Sequence, residues 1–349
     1  MAIKTKLPVL KAKDFASDQD VKWCPGCGDY AILNAVQRVV AQTGHARENT
    51  VFISGIGCSS RFPYYMSTYG FHSIHGRAPG FVSGLKIANP ELDVWMVTGD
   101  GDGFSIGGNH MMHLLRRNVD VNVLLFNNRI YGLTKGQYSP TSEQGKRTKS
   151  TPMGSLDFPI DPIQVALAAG ASFVARSTDK DRGLTDVLTA ASGHRGTSFC
   201  EIYQNCNIFN DGAYDPLTGK DTREDNVLYL EHGKPMVFGK GGTKGLRMLG
   251  NRPEVVDLEA DGVEKDDLLV HDETNLTLAM MLARLHYPDF PEPLGVFYRQ
   301  EREVYEDLVA AQVDEATEKR GAGTLDDLFN AGDTYVLDQG KDSQHGLHD

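Results

Sequence analysis

DVWMVTGDGDGF, residues 93–104, and VNVLLFNN, residues 121–128, carry the strongest structural signal in the chain. In each, a β-rich apolar run stops abruptly, at Gly99-Asp100-Gly101-Asp102-Gly103 in the first and at Asn127-Asn128 in the second. The residues between them, about 109–117, have the pattern of a helix. A strand, a loop, a helix and a second strand in so short a stretch predict a βαβ unit and therefore a parallel sheet.

The pattern extends on both sides of this unit. A helix is predicted over 30–42 and a short buried strand over 51–54, and two further helix–strand pairs are predicted within 163–175 and 184–203. We therefore expect residues 23–215 to form an α/β domain with a doubly wound, mostly parallel sheet. Residues 133–155 are rich in Gly, Ser, Thr, Pro and Lys without a period, which favours a long functional loop.

The two ends of the chain differ from this domain. Residues 1–22 are polar and Lys-rich and are predicted to be an N-terminal arm. Residues 216–349 are predicted to be an acidic C-terminal extension with two helices, over 274–286 and 301–320.

The charge distribution excludes some function classes. The 349 residues carry a net charge of −12, and this charge is uneven, at +3 over residues 1–220 and −15 over residues 221–349. A net negative chain is not expected to bind nucleic acid or anionic lipid. Its longest apolar runs are far too short to span a membrane, and its first residues do not resemble a secretory signal, so we expect a cytoplasmic protein.

Polar residues follow the two strands of the βαβ unit. The carboxyl ends of parallel strands meet at one edge of a sheet, where ligands bind. Asp100 and Asn128 offer hard oxygen ligands there, which suit Mg²⁺ or Ca²⁺ shared with the phosphates of a ligand. The glycines around Asp100 let the main chain approach an anion closely.

The five cysteines form a second constellation. Cys24 and Cys27 lie in a Cys-Pro-Gly-Cys turn, Cys58 follows a predicted strand, and Cys200 and Cys206 lie in and after another. An odd number in a chain of this length does not indicate a disulfide framework. Four interpretations of this pattern are open. They are a thioredoxin-like redox pair, a structural zinc site, inert buried thiols, and an Fe–S cluster held by Cys24, Cys27, Cys58 and Cys206.

GDG followed by NN, each at the end of a strand, resembles the signature of thiamine diphosphate (ThDP) enzymes. The resemblance implies that Asp100, Asn128 and the main-chain carbonyl of Ile130 hold Mg²⁺ in a diphosphate-binding domain. WCPGCGD (23–29), GIGCSSR (55–61), HGRAPG (75–80) and GDGDG…NNRIYGLTKGQ (99–137) together resemble the β subunits of 2-oxoacid:ferredoxin oxidoreductases, over about residues 20–215.

The resemblance to this family implies two cofactor sites. One [4Fe-4S] cluster is expected on Cys24, Cys27, Cys58 and Cys206, which leaves Cys200 as a core thiol. The residues expected to contact ThDP are Ile56, Gly57, Cys58, Ser59, His75, Gly101, Asp102, Gly132 and Leu133. His75 is also expected to donate to an oxygen of ThDP or of the substrate.

Partners follow from what the chain lacks. ThDP enzymes need an activating Glu, which lies on a second α/β domain, the pyrimidine-binding domain. In this chain we predict a single α/β domain, the one that carries the diphosphate signature. We therefore expect an α subunit to supply that domain, in an (αβ)₂ assembly that uses coenzyme A and reduces ferredoxin. Ferredoxins are usually acidic, so the expected dock is the cysteine-bearing face near Lys4, Lys6, Lys11, Lys13 and Lys22.

The expected substrate is 2-oxoglutarate. Arg61 follows Cys58 closely and is expected to face the cofactor and to bind a distal carboxylate, with Arg77 and Lys135 as alternatives. Pyruvate or a broad range of 2-oxo acids is the alternative substrate. A non-redox ThDP enzyme and a thioredoxin-like or zinc-binding protein are the alternatives of another class.

Overall fold

An eight-stranded sheet forms the centre of the computed structural model, which describes residues 10–259 and 262–335. Its strands are β1 (Thr50–Ser54), β2 (Tyr69–His72), β3 (Asp93–Gly99), β4 (Val121–Asn127), β5 (Phe173–Thr178), β6 (Thr197–Tyr203), β7 (Val227–Leu230) and β11 (Glu292–Arg299). The order across the sheet is β2-β1-β3-β4-β6-β5-β11-β7, and every neighbouring pair is parallel except β11 with β5. A separate antiparallel sheet contains β8 (Val237–Phe238), β9 (Lys244–Leu249) and β10 (Arg252–Asp257).

Helices cover both faces of the large sheet. Those that pack on it in the two cores include α1 (Asp29–Val40), α2 (Ala78–Ala88), α4 (Gly108–Arg117), α5 (Pro162–Ala168), α6 (Leu184–Ser192) and α9 (Leu276–Leu282). The other described helices are α3 (Asp100–Phe104), α7 (Asp215–Thr218), α8 (Arg223–Asn226), α10 (Tyr305–Arg320) and α11 (Leu325–Phe329). Short 3₁₀ helices lie at Ala12–Phe15, Arg47–Asn49, Ser59–Tyr65 and Lys265–Asp267. Residues 133–155 form a loop between β4 and α5, as predicted.

Alternating residues of the strands enter two different cores. Ile53, Met96 and Val123 pack in one core with residues of α2, α4, α5 and α9. Their chain neighbours Phe52 and Trp95 pack in the other core, with residues of α1 and α6. A sheet buried on both faces explains the continuously apolar strands, and the structure confirms the predicted doubly wound, mostly parallel α/β fold.

The predicted division at residue 215 does not match the compact units. β7 and β11 belong to the large sheet, and one compact unit runs to Asp307, with a second beginning at Leu308. Pro293 and Gly295 interrupt the apolar pattern of β11, which explains why the sequence did not predict this strand. The two helices predicted in the extension are shorter than expected, as α9 and α10.

A buried ionic cluster ties β11 to the strands beside it. Arg176 of β5 is 1% exposed and donates to Glu201 of β6 at 2.6 Å and to Glu292 of β11 at 2.7 Å. His286 contacts Asp161 at 2.8 Å and Glu292 at 3.2 Å. Burial alone would lower the pKa of His286, but hydrogen bonds to these two carboxylates outweigh it and raise the pKa to about 9.

The described part of the predicted arm is packed rather than free. Phe15 is fully buried in the core beneath α1, and the main-chain N–H of Ser17 donates to the carbonyl of Tyr65 at 3.2 Å. Lys4 and Lys6 lie outside the described residues. Over residues 10–259 and 262–335, no helix is long and apolar enough to cross a membrane.

Candidate functional site

The site lies where four adjacent parallel strands end. β1, β3, β4 and β6 are neighbours in the sheet, and the glycine, aspartate, asparagine and cysteine motifs follow their last residues directly. The carboxyl edge of a parallel sheet is where an open α/β fold forms its ligand crevice. The topology therefore gathers motifs that lie far apart in sequence, such as Cys58 and Cys206, 148 residues apart.

One cavity of about 430 Å³ collects the residues predicted to contact ThDP and Mg²⁺. They are Ile56, Gly57, Cys58, Ser59, His75, Asp100, Gly101, Asp102, Asn128, Ile130, Gly132 and Leu133. The cavity is also lined by Ile106, Tyr131, Thr134 and Gln137, which were not among the residues predicted to contact a cofactor.

Asp100 is a buried carboxylate with two hydroxyl donors. Its side chain is 2% exposed, and its Oδ2 accepts hydrogen bonds from Ser139 Oγ at 2.5 Å and from Thr141 Oγ1 at 2.6 Å. Burial raises the pKa of Asp100, while the two hydroxyls act in the opposite direction. A buried carboxylate held by hydroxyl donors fits a site for a divalent cation.

The turn after β4 brings the other two predicted ligands to the same cavity. Arg129 has a φ of 55°, in the left-handed region that non-glycine residues rarely adopt. This turn places Asn128 and Ile130 together, with the N–H of Ile130 donating to Asn128 Oδ1 at 3.2 Å. The Arg129 guanidinium lies 4.8 Å from the centre of the Tyr214 ring, a cation–π contact that holds the strained residue.

Asp102 connects three loops around the cavity. Its Oδ1 accepts from the N–H of Gly76 at 2.8 Å, and its Oδ2 accepts from Thr98 Oγ1 at 3.0 Å. A Cβ at Gly55 would lie 1.8 Å from Oδ2, so only glycine fits beside this carboxylate. Asp102 thus holds the cavity's loops together in addition to lining it.

Glycine also determines the shape of the cavity at residue 101. A Cβ there would lie 2.2 Å from the ring of Tyr131, whose hydroxyl donates to the carbonyl of Gly101 at 3.2 Å. The absence of a side chain lets this ring pack directly on the main chain of the aspartate loop.

A second cavity, of about 240 Å³, is lined by Cys24, Cys27, Cys58 and Cys206. All five cysteines are free, and Cys200 lies apart from these four, 1% exposed in β6. Within the described residues, no group of three or more His, Cys, Asp or Glu side chains is arranged around a single metal ion. Four sulfurs bordering one cavity fit a polynuclear cluster with one cysteine per iron.

The four thiols of the cysteine cavity differ in exposure, since Cys24 is exposed whereas Cys27, Cys58 and Cys206 are partly buried. Burial raises the pKa of Cys58 to about 12, and the nearby charge of Asp29 adds to this effect. Asp29 is itself 2% exposed, and its burial raises its pKa to about 7. Cluster assembly needs thiolates, so a positively charged iron centre would have to stabilise them here.

The two cavities share one wall, formed by Cys58, Asn128, Gly132 and Leu133. A Cβ at Gly132 would lie 3.6 Å from both Cys58 Sγ and Cys206 Sγ, within the space between the sulfurs. A ligand in either cavity would therefore be separated from the other by little more than this glycine and its neighbours.

The three cationic residues predicted to bind the distal carboxylate of the substrate do not lie at the same cavity. Arg61 and Lys135 line the cysteine cavity, not the larger one, and Arg61 Nη1 donates to the carbonyl of Lys22 at 3.3 Å. Arg77 Nη1 donates to the carbonyl of Ile106, which lines the larger cavity, at 3.2 Å. The expectation that Arg61 faces the ThDP cavity directly is therefore not met, although it lies behind the wall that both cavities share.

Sequence reasoning missed the polar residues behind these ligands. Ser139 and Thr141 lie in the long loop that was predicted to be functional, but their hydrogen bonds to Asp100 were not predicted. Gln204 joins Asn128 to Cys27 through its side-chain amide. Its position directly after a strand and two residues before Cys206 was the available signal.

Comparisons with known proteins agree with this architecture. Residues 55–202 match the family described as thiamine pyrophosphate enzyme, C-terminal TPP binding domain. The chain is 53% identical over 334 residues to the 2-oxoglutarate oxidoreductase subunit KorB of Mycobacterium tuberculosis, covering 94% of this chain and 89% of the relative. It is 43% identical over 185 residues to the 2-oxoglutarate synthase subunit KorB of Archaeoglobus fulgidus, covering 53% of this chain and 69% of that one.

A solved structure resembles nearly the whole chain. It is the 2-oxoglutarate:ferredoxin oxidoreductase from Magnetococcus marinus with 2-oxoglutarate, coenzyme A and succinyl-CoA bound. The TM-score is 0.73 at 33% identity, over 93% of this chain and 96% of that one. The chain belongs to the KorB family of 2-oxoacid:ferredoxin oxidoreductase β subunits.

Proposed function

We propose that this chain is the β subunit of a 2-oxoglutarate:ferredoxin oxidoreductase. With an α subunit it would convert 2-oxoglutarate and coenzyme A into succinyl-CoA and CO₂, and two electrons would leave singly to ferredoxin, in a reversible reaction. The observation that carries this proposal is the shared wall between a cavity suited to a diphosphate and a divalent cation and a cavity lined by four cysteines.

The larger cavity supports ThDP and Mg²⁺ as cofactors. Asp100, Asn128 and the Ile130 carbonyl would hold Mg²⁺, and the other predicted residues of the cavity would contact ThDP. When bound, ThDP supplies the electron sink that decarboxylation of a 2-oxo acid requires. The chain's own contribution is to orient the diphosphate and to place His75 at the cavity wall, where its ring can donate to a ThDP or substrate oxygen.

The smaller cavity supports a [4Fe-4S] cluster on Cys24, Cys27, Cys58 and Cys206. A one-electron carrier behind the shared wall suits an enzyme whose acceptor takes electrons one at a time. Lys11, Lys13 and Lys22 are exposed, and Lys22 lines this cavity, which supports an approach of an acidic ferredoxin from this side.

An α subunit would complete the ThDP site. The described residues contain one parallel α/β sheet, and both of its faces are covered by the chain's own helices. The pyrimidine-binding domain and the activating Glu are therefore assigned to the partner, and an (αβ)₂ assembly is the expected form. Coenzyme A contacts are assigned largely to that partner as well.

The preference for 2-oxoglutarate has two supports. The relatives from Mycobacterium tuberculosis and Archaeoglobus fulgidus carry 2-oxoglutarate in their names. In addition, Arg61 and Lys135 place two cations beside the shared wall, where a distal carboxylate of the substrate could be recognised.

The test is reduction of a viologen dye by the anaerobically purified αβ complex, with 2-oxoglutarate or pyruvate and coenzyme A. We expect a clear preference for 2-oxoglutarate. Arg61→Ala should lower kcat/KM for 2-oxoglutarate by about 10-fold, the loss of a cation whose charge acts across the shared wall on the distal carboxylate, and should lower that for pyruvate far less. Arg47→Ala, an arginine that contacts Ser67 and the Asp14 carbonyl away from both cavities, is the control.

Three outcomes contradict parts of the proposal. Equal losses on both acids in Arg61→Ala remove this residue from substrate recognition. A higher kcat/KM for pyruvate makes 2-oxoglutarate the wrong substrate. A colourless complex that contains thiamine but no iron identifies a non-redox ThDP enzyme, and a complex without thiamine leaves only the thioredoxin-like or zinc-binding alternatives.

A further inference from the structure

Gln204 lies between the two cavities and contacts both sets of predicted ligands. It follows the last residue of β6, is 1% exposed, and its main-chain N–H donates to the carbonyl of Asn127 at 3.0 Å. Its side-chain Oε1 accepts from Asn128 Nδ2 at 2.9 Å, and its Nε2 donates to Cys27 Sγ at 3.3 Å. One amide therefore joins a proposed Mg²⁺ ligand to a proposed cluster ligand.

The direction of these hydrogen bonds is determined by the chemistry of the two ends. If Asn128 offers its oxygen to Mg²⁺, its NH₂ group is left to face Gln204. Gln204 must then present its oxygen to Asn128, which turns its own NH₂ group toward the cysteine. The two hydrogens of Nε2 are both used, one toward Cys27 Sγ and one toward the Asn205 carbonyl at 2.5 Å.

We propose that Gln204 is a positioning residue that couples occupancy of the ThDP–Mg²⁺ site to the reduction potential of the cluster. This inference rests on the proposed function, because it needs both cofactors to be present. An N–H donor aimed at a cluster sulfur stabilises the more negative, reduced cluster and raises its potential. How firmly Gln204 donates depends on how its oxygen is held by Asn128.

The coupling runs in both directions. Binding of Mg²⁺ fixes Asn128, which fixes Gln204 and strengthens the donor at Cys27, so the loaded enzyme has a cluster that accepts an electron more readily. By thermodynamic linkage, a reduced cluster must then favour the loaded state of the Mg²⁺ site by the same factor. The cluster would be tuned to accept electrons when the cofactor that delivers them is in place.

Two substitutions distinguish the role of the Gln204 oxygen, which accepts from Asn128, from that of its NH₂ group, which donates to Cys27. Gln204→Glu keeps an oxygen that accepts from Asn128 but replaces the donor at Cys27 with an acceptor. Gln204→Leu removes all three side-chain hydrogen bonds at a similar side-chain size. Asn207→Leu is the matched control, because Asn207 lines the same cavity but its Nδ2 donates to the Pro25 carbonyl at 2.7 Å and not to a sulfur.

The experiment is an EPR-monitored redox titration of the anaerobic αβ complex, reduced with dithionite, with and without Mg²⁺ and ThDP. At a fixed potential we expect both Gln204 variants to show about a tenfold lower ratio of reduced to oxidised cluster than the wild type, equivalent to about 59 mV for one electron. Addition of Mg²⁺ and ThDP should raise the potential of the wild type and of Asn207→Leu but not that of either Gln204 variant.

Cofactor affinity provides a second, independent readout. By calorimetry, Gln204→Leu should bind Mg²⁺ in the presence of ThDP about 10-fold more weakly, and Gln204→Glu should bind it nearly as tightly as the wild type. In Gln204→Leu the cluster potential and the Mg²⁺ affinity should both fall, whereas in Gln204→Glu only the potential should fall. A general loss of packing would not produce this difference between the two variants.

The outcomes are distinct. A wild-type complex without iron refutes the proposed function itself. A wild-type complex that contains the cluster, together with Gln204 variants of unchanged potential, overturns the inference alone. Equal shifts in Gln204→Leu, Gln204→Glu and Asn207→Leu also overturn it. Should Gln204→Leu lose its cluster, Gln204→Glu decides the question by whether its potential still rises on addition of Mg²⁺ and ThDP, since the new charge lowers the potential in both states alike.

Discussion

Removal of the Thr141 hydroxyl tests how Asp100, the proposed Mg²⁺ ligand, is held. Thr141→Val preserves the shape of the side chain and deletes one of the two hydroxyls that donate to Asp100 Oδ2, the one at 2.6 Å. Asp100 is 2% exposed, so water cannot readily replace the lost donor. We expect the ionised carboxylate, the form that binds Mg²⁺, to become less stable.

The magnitude follows from the kind of hydrogen bond that is lost. A hydrogen bond to a charged group contributes about 1.5–3 kcal/mol, which corresponds to about 10-fold to 150-fold in an equilibrium constant. The Thr141 hydroxyl has one hydrogen and a second acceptor, Asn127 Oδ1 at 2.9 Å, so part of its time is spent away from Asp100. The remaining donor, Ser139 Oγ at 2.5 Å, stays in place. We therefore expect the lower half of this range, a loss of about 10-fold to 30-fold in Mg²⁺ affinity.

The assay is a calorimetric titration of Mg²⁺ into the αβ complex at a fixed ThDP concentration. Thr148→Val is the matched control, because Thr148 lies in the same loop but contacts Ser150 and Thr151 and not Asp100. A Kd for Thr141→Val within twofold of the wild type would refute the reasoning. An equal loss in the control would show that the loop as a whole, and not this hydroxyl, determines affinity.

Three further predictions concern stability and the cofactor cavity. In denaturant titrations, Arg176→Met should lower the free energy of unfolding by about 3–5 kcal/mol, because it leaves buried carboxylates unpaired. The control Arg195→Met removes an exposed ion pair and should change the free energy of unfolding by less than about 1 kcal/mol. His286 has a pKa raised to about 9, so its contribution to stability is present below about pH 6.5 and is lost as the pH rises to 9; His286→Gln should unfold with a weaker pH dependence over that range. Gly101→Ala would put a methyl group 2.2 Å from the Tyr131 ring, and ThDP binding followed by fluorescence should be strongly weakened with the fold retained by circular dichroism.

The sequence predicted strands β1, β3, β4, β5 and β6 from strong local signals, whereas the predicted ThDP contacts and cluster cysteines came from the family resemblance. Buried parallel strands are apolar throughout, and the motifs begin where that apolar run stops, as at Asp100 and Asn128. The strand at 292–299 was missed because Pro293 and Gly295 break its pattern, and its place depends on pairing with β5, more than 100 residues earlier.

The supporting polar residues could not be predicted for a different reason. Ser139 and Thr141 reach Asp100 through the fold of a loop without periodicity, and Gln204 reaches both Asn128 and Cys27 only because β4 and β6 are neighbours in the sheet. Arg61 was predicted to face the cofactor from its distance in sequence to Cys58, but the 3₁₀ helix at Ser59–Tyr65 carries it to the wall of the cysteine cavity.

The most direct test of the central claim is reduction of the cluster by the substrate itself. The αβ complex is mixed anaerobically with 2-oxoglutarate and coenzyme A, frozen, and its EPR spectrum is recorded, beside a complex carrying Asp100→Ala. We predict the signal of a reduced [4Fe-4S] cluster in the wild type and its absence in Asp100→Ala, with dithionite still reducing the cluster in both. A wild-type cluster that dithionite reduces but 2-oxoglutarate and coenzyme A do not would contradict the account.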